Sequence, residues 1–178
     1  MMGPDIGLLV VRALLGFVLF AHATQKLLGW FHGPGLGGAT TVFEALGQRP
    51  GRRMAVLASL CELVAAVLLA LGIATPVGVA VGTGTMLVAG AASTMRSGSR
   101  WNTGGGGEYP LVLAVVVATV GFTGPGGYSV DAVLGLATLE ADVRVGAIAA
   151  AVAIVVAAFP IVRTRRELRP ETRVARTG

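Results

Sequence analysis

Four polar residues interrupt an otherwise apolar opening segment: Arg12, His22, Gln25 and Lys26. A fifth, Glu62, stands in a second apolar stretch, directly after the chain's one cysteine, Cys61. An imidazole, an ammonium and a carboxylate can pass protons, hold a ligand or neutralise one another. On a helix turning about 100° per residue, Arg12, Lys26, His22 and Gln25 fall within roughly 140° of the wheel. They form one polar stripe. A lone cysteine excludes an internal disulfide, a Cys-x-x-Cys redox pair and a cysteine zinc cluster, and no metal site is expected.

A second group of candidates follows Ser99-Arg100: Trp101, Asn102, then Gly104 to Gly107, then Glu108 and Tyr109. The glycines suggest a phosphate cradle, but no Gly-x-x-x-x-Gly-Lys-Ser/Thr follows a strand here. Trp101 and Tyr109 are rings of the kind that anchor at a membrane interface. Glu108 and Pro110 suit the first turn of a helix.

The elements that must carry these groups are apolar and long. The chain has 178 residues, 54% hydrophobic and 13% charged, against about 25% charged in ordinary soluble domains. Its mean hydropathy is +0.77. Such a surface suits a bilayer, which asks for apolar side chains outside and closed backbone hydrogen bonding within. A spanning helix needs about 20 mostly apolar residues. Five segments approach this: 6–28, 54–73, 77–95, the shorter 109–122, and 143–162. The sequence therefore predicts an all-α membrane protein, a four-helix core bundle within residues 1–131 and a fifth C-terminal transmembrane helix. Residues 132–162 hold the linker and that helix, and 163–178 a basic tail. A short interfacial helix is expected over 130–139, capped near Ser129 and Asp131. Ala21-His22-Ala23 resembles a signal-cleavage site, but Arg12 interrupts the apolar stretch and no Lys or Arg precedes it, so a retained helix is expected. Gly78 and Gly82 predict close helix packing.

Charge sets the orientation. Arg49, Arg52, Arg53, Arg96, Arg100 and the tail arginines Arg163, Arg165, Arg166, Arg169, Arg173 and Arg176 fall on one side of a five-span chain. Arg144 falls on the other, with Asp131, Glu140 and Asp142. The positive-inside rule places the C-terminus in the cytoplasm and the N-terminus outside. The pI near 10.7 is thereby ascribed to topology and anionic lipid, with no nucleic acid as partner.

Depth narrows the pairing. At about 1.5 Å per residue, Glu62 lies roughly 12 Å and His22 roughly 9 Å from the cytoplasmic ends of their helices, and Arg12 roughly 24 Å. Glu62 thus pairs with His22 or Lys26 rather than Arg12. His22 and Glu62 are expected to face each other at the floor of a pocket, with Gln25 or Lys26 beside them. A charge at the bilayer centre costs about 2.5–3.5 kcal/mol on insertion scales. The stripe should therefore face protein or a wet cavity, although Lys26 can also snorkel to headgroups. A structural ion pair and a proton or ligand site both remain open.

These residues together resemble the DoxX family. The resemblance rests on Arg12, Gly16, His22-x-x-Gln25-Lys26, Gly29-Trp30-Phe31, the Gly-Pro-Gly turn before Phe43-Glu44-Ala45-Leu46-Gly47, Glu62, Asn102-Thr103 with Gly107-Glu108-Tyr109-Pro110, and Gly124-Pro125-Gly126 with Tyr128 to Asp131. It covers roughly residues 7 to 131. It implies a cell-membrane protein tied to redox or oxidative-stress complexes, akin to the DoxD-type subunit of thiosulfate:quinone oxidoreductase. No haem, flavin or nucleotide fingerprint accompanies it, so no covalently bound cofactor is expected, and any electron carrier is a mobile quinone or belongs to a partner. Two readings stand. One is a noncatalytic membrane subunit docking a soluble redox enzyme at its cytoplasmic face, alone or as a homo-oligomer. The other is a quinone or small-substrate site around His22 and Glu62. A transporter is a weaker third, since no duplicated half is visible.

Overall fold

The computed structural model describes residues 2–169. The tail arginines Arg173 and Arg176 lie outside the described residues. Eight α-helices follow in order: α1 Met2–Leu28, α2 Gly35–Ala45, α3 Gly51–Leu71, α4 Thr75–Ser97, α5 Glu108–Thr123, α6 Val130–Val133, α7 Ala137–Glu140 and α8 Val143–Glu167. Short 3-10 turns occupy Trp30–His32 and Asn102–Gly104. Four helices, α1, α3, α4 and α8, are long and apolar enough to cross a membrane. The described residues contain no strand, so the all-α membrane fold expected from the sequence is present.

The long helices pack through faces with helical spacing. On α1 the buried positions are Arg12, Leu15, Gly16, Leu19, Ala23 and Thr24, a recurrence of three and four. This face packs on α3, whose buried positions include Ala55, Ser59, Glu62, Ala65, Ala66 and Leu69. At Gly16 a methyl would come within 2.7 Å of Ala70 Cβ and 2.9 Å of the Ala66 carbonyl oxygen. Glycine there lets the two backbones close. α4 occupies the middle, packed on α3, α5 and α8. Its Gly82 sits between Ala65 of α3 and Val117 of α5, the close contact expected of the Gly78/Gly82 face. α8 lays Gly146, Ala149, Ala153 and Ala157 inward, against α4 and α5. Its other side, with Ile148, Val155 and Phe159, stays exposed, as a lipid-facing surface should.

α5 has 16 residues, or about 24 Å of rise, less than the roughly 30 Å hydrocarbon core. It still runs from one end of the bundle to the other. Gly107, just before it, donates to Thr94 Oγ1 at 3.2 Å near the end of α4, and Gly121 lies against Gly146 at the start of α8. Its ends continue into the glycine loops on both sides.

Two local expectations change. The helix expected over 130–139 is split into α6 and α7 by Gly135, whose φ of 74° no helix continues through. The glycine-rich stretch after Gly33, whose composition argues for a break, contains α2. Its glycines permit a helix between Pro34 and Leu46 because packing on α1 and α3 overrides their poor propensity.

The charges sort by end. The α2–α3 turn meets the end of α8, where Gln48 Nε2 donates to Thr164 Oγ1 at 2.7 Å, and Met95 near the end of α4 borders the same end of α8. This end carries Arg49, Arg52, Arg53, Arg96, Arg100, Arg163, Arg165, Arg166 and Arg169. The opposite end carries Asp5, Asp131, Glu140, Asp142 and Arg144.

Candidate functional site

Glu62 is deeply buried on α3, and Lys26 of α1 reaches it: Nζ stands 2.5 Å from both carboxylate oxygens. The aliphatic stem of Lys26 gives this contact a partly covered setting, and its ammonium lies 6.0 Å from the ring centre of Phe43 on α2. The two partners cancel most of the cost each would incur alone in an apolar surround.

The ion pair forms part of the wall of a cavity of about 360 Å³. The cavity exists because α3 and α8 both pack on α4 yet make little contact with each other. α4 forms its back and α2 its side, through Phe43. The buried bond between Gln48 and Thr164 stands at its basic end. Most of the lining is aliphatic, including Val81, Val88 and Val152, and Cys61 joins it beside Glu62. Leu57 and Val156 line it while remaining more than half exposed. The cavity therefore opens sideways, toward where lipid would be, rather than along the bundle axis.

His22 does not face Glu62, contrary to the expectation from depth. Its Nε2 lies 3.3 Å from the Tyr109 hydroxyl, with ring centres 5.6 Å apart. Lys26, one turn further along α1 and longer, reaches the carboxylate instead. Tyr109 thereby links the second candidate group to the first. Its neighbours do other things: Glu108 Oε2 accepts from the Asn102 backbone N–H at 3.1 Å and closes the glycine loop, while Trp101 is exposed. Gln25 turns away, its amide donating to the Phe31 carbonyl at 3.5 Å.

Arg12 belongs to a different assembly, about 21 Å along α1 from Lys26. It is fully buried at the acidic end and donates to the Tyr128 carbonyl. Gly72, with φ of 61°, lies where any side chain would strike the guanidinium and Ser129. Asp131 accepts from the backbone N–H groups of Ala74 and Thr75 at 3.0 and 3.1 Å and from the Thr75 hydroxyl at 2.9 Å. It thus caps α4 rather than the short helix in which it sits, and Ser129 caps that helix through the Ala132 N–H. Burial raises the Asp131 carboxyl, but its hydrogen bonds with Glu140, Thr75 and Ala74 outweigh burial and hold it below its ordinary range. Glu140 is pushed up to about 7, by burial first and then by the neighbouring Asp131. The polar stripe of α1 therefore divides into a structural clamp at the acidic end and a buried ion pair on a cavity nearer the basic end.

Gln48 and Thr164 carried no signal in the sequence; Phe43 entered only through the family resemblance and Glu140 only as a charge at one end. Phe43 and Gln48 flank a glycine turn, and Thr164 reads as one polar residue among arginines. Only the meeting of the α2–α3 turn with α8 brings Gln48 and Thr164 together beside the cavity that Phe43 also lines.

The DoxX family model matches residues 7–95. That stretch is half of the chain and holds Arg12, His22, Lys26, Glu62 and the α4 wall of the cavity. No curated protein and no solved structure matches it. Four long apolar helices, a buried Lys26–Glu62 pair between the first two of them, and a family match across three of the four give one conclusion: the chain belongs to the DoxX family.

Proposed function

We propose that this protein is a membrane subunit whose lateral cavity holds the head of a lipid-soluble redox carrier of the quinone class, serving a soluble redox enzyme docked at its basic end. The observation that carries the reading is the cavity of about 360 Å³, apolar on most of its wall and bounded by one buried ion pair. A quinone head is a flat apolar ring with two carbonyl acceptors, and such a site suits it in both respects. The side opening admits a ligand that travels in the hydrocarbon layer.

When bound, the carrier supplies the electron chemistry. The chain supplies position and protons. Lys26 holds a proton at Nζ, toward which a carbonyl oxygen can turn. Glu62 holds that ammonium in place through the ion pair. Val81, Val88 and Val152 exclude water. His22, one turn before Lys26 on α1, meets Tyr109 of α5, and Tyr109 begins that helix at the basic end, where an aqueous proton source lies. The electrons come from the partner, which makes this chain a subunit rather than a self-sufficient oxidoreductase. Its docking surface is the face formed by Arg52, Arg53, Arg96 and Arg100, complementary to an acidic protein. By the positive-inside rule that face is cytoplasmic in the cell membrane.

The test is purification from native membranes with extraction of bound lipids. Quinone is expected at near-stoichiometric amounts, with a soluble oxidoreductase co-eluting, and Glu62→Gln should lower the quinone while leaving insertion intact. Protein that retains no quinone in mild detergent and elutes with no redox enzyme contradicts the reading.

A further inference from the structure

The last turns of α8 carry Arg163, Arg165 and Arg166, and Arg169 follows just past its C-cap Leu168; their positions are not equivalent. At about 100° per residue, Arg165 and Arg169 stand one turn apart on a single flank, with Leu168 beside them. Arg163 and Glu167 occupy the opposite flank, where Glu167 lies 3.9 Å from Arg49. Glu167 is thus turned away from Arg165 and Arg169 and already engaged. Neither of these two arginines has a carboxylate partner among the described residues.

Arg165 and Arg169 line a cavity of about 180 Å³ together with Met95 of α4 and Leu168. It is separate from the large cavity, which meets α8 through Val152, Val156 and Pro160 on the other flank. Met95 is three residues before Gly98, which ends α4, so the pocket sits where both helices leave the apolar layer. Two arginines and two apolar side chains thus border one pocket. Arg165 and Arg169 stand four residues apart across the end of α8, and both line this one pocket, which puts both forks in reach of one phosphate.

We propose that this pocket binds the phosphate headgroup of an anionic phospholipid, with Arg165 and Arg169 on the phosphate oxygens and Met95 and Leu168 against the glycerol and first acyl carbons. Arginine matches a phosphate through parallel N–H donors. The apolar floor is what separates a lipid from a free anion: inorganic phosphate gains the charge pairing but leaves Met95 and Leu168 uncovered. The depth is also right, because a headgroup at the end of α8 keeps its acyl chains alongside the exposed aliphatic face of that helix. The bound lipid would cement the seam between α4 and α8, independent of what the large cavity holds.

The experiment is native mass spectrometry of the full chain, stripped of lipid in neutral detergent and titrated separately with phosphatidylglycerol, phosphatidylcholine and inorganic phosphate. One phosphatidylglycerol should bind in preference to the other two. Arg165→Gln with Arg169→Gln should weaken it about tenfold or more, the scale of losing charge-assisted contacts. Arg163→Gln with Arg166→Gln removes the same charge from the other flanks and should leave binding within about twofold. Met95→Glu keeps both arginines but gives them a carboxylate, and should reproduce the loss even if the double arginine variant folds poorly. Equal weakening by the two double variants means diffuse surface attraction and overturns the site. Phosphate binding as tight as the lipid assigns a free anion and overturns the lipid.

Discussion

Lys26 and Glu62 tie α1 to α3 by an ion pair at 2.5 Å, in a wall where the remaining contacts are mostly aliphatic. Its strength depends on both partners being present. Removing Lys26 alone leaves a buried carboxylate without compensation, and breaking such a pair costs about 3–5 kcal/mol. Lys26→Met is therefore expected to lower thermal stability sharply in detergent, whereas Lys26→Met with Glu62→Leu should unfold close to the wild type. If the single and double variants melt alike, the pair is not the coupled unit described.

Gly72 makes room for Arg12. A methyl at this position would overlap the guanidinium, and its φ of 61° disfavours any side chain. Gly72→Ala is expected to cost about 1–3 kcal/mol in unfolding experiments, the usual range for forced strain of this kind. A neutral result would show that Arg12 has another resting place.

The acidic end should respond to pH. Glu140 is raised from its ordinary 4.5 to about 7, through burial and the adjacent Asp131. A carboxyl raised on folding contributes fully below its ordinary value and loses that contribution as pH climbs through the folded one. Stability should therefore decline between about pH 4.5 and pH 7. Asp131 works in the opposite sense: its lowered carboxyl contributes above 3.8 and loses that as pH falls through its folded value. Arg12 is the cation near the pair, and it does not titrate in this window. Glu140→Gln is expected to flatten the decline in melting temperature. An unchanged slope in that variant would place the titration elsewhere.

The long helices were legible because apolar runs of spanning length have few other fates, and the segments expected to span match α1, α3, α4 and α8 to within a few residues. The stripe on α1 was legible as a stripe. Its partners were not. Depth alone cannot separate His22 from Lys26 as the partner of Glu62, since they are one turn apart, and the choice falls to reach and to where α5 brings Tyr109. α2 was hidden because Gly35, Gly37 and Gly38 argue locally against the helix that packing imposes. The cavity was invisible for a similar reason: it arises from α3 and α8 standing apart on α4, and no residue type marks a gap.

Orientation is open to direct labelling. In a Cys61→Ala background, a single cysteine at Arg144 should react in whole cells with a reagent that does not cross the membrane. One at Arg163 should react only after permeabilisation. The reverse pattern would invert the topology assigned from charge.

The central claim is that the large cavity is a ligand site, and the most direct measurement is equilibrium binding of a short-chain, water-soluble quinone to purified protein in detergent. The wild type should show saturable one-to-one binding. Ala89→Phe, which fills the cavity while leaving Lys26 and Glu62 in place, should abolish it, and Lys26→Met with Glu62→Leu should weaken it about tenfold, the loss of one charge-assisted contact. Binding that does not saturate, or that is equal in all three proteins, would mean that the quinone merely partitions into detergent and would contradict the assignment.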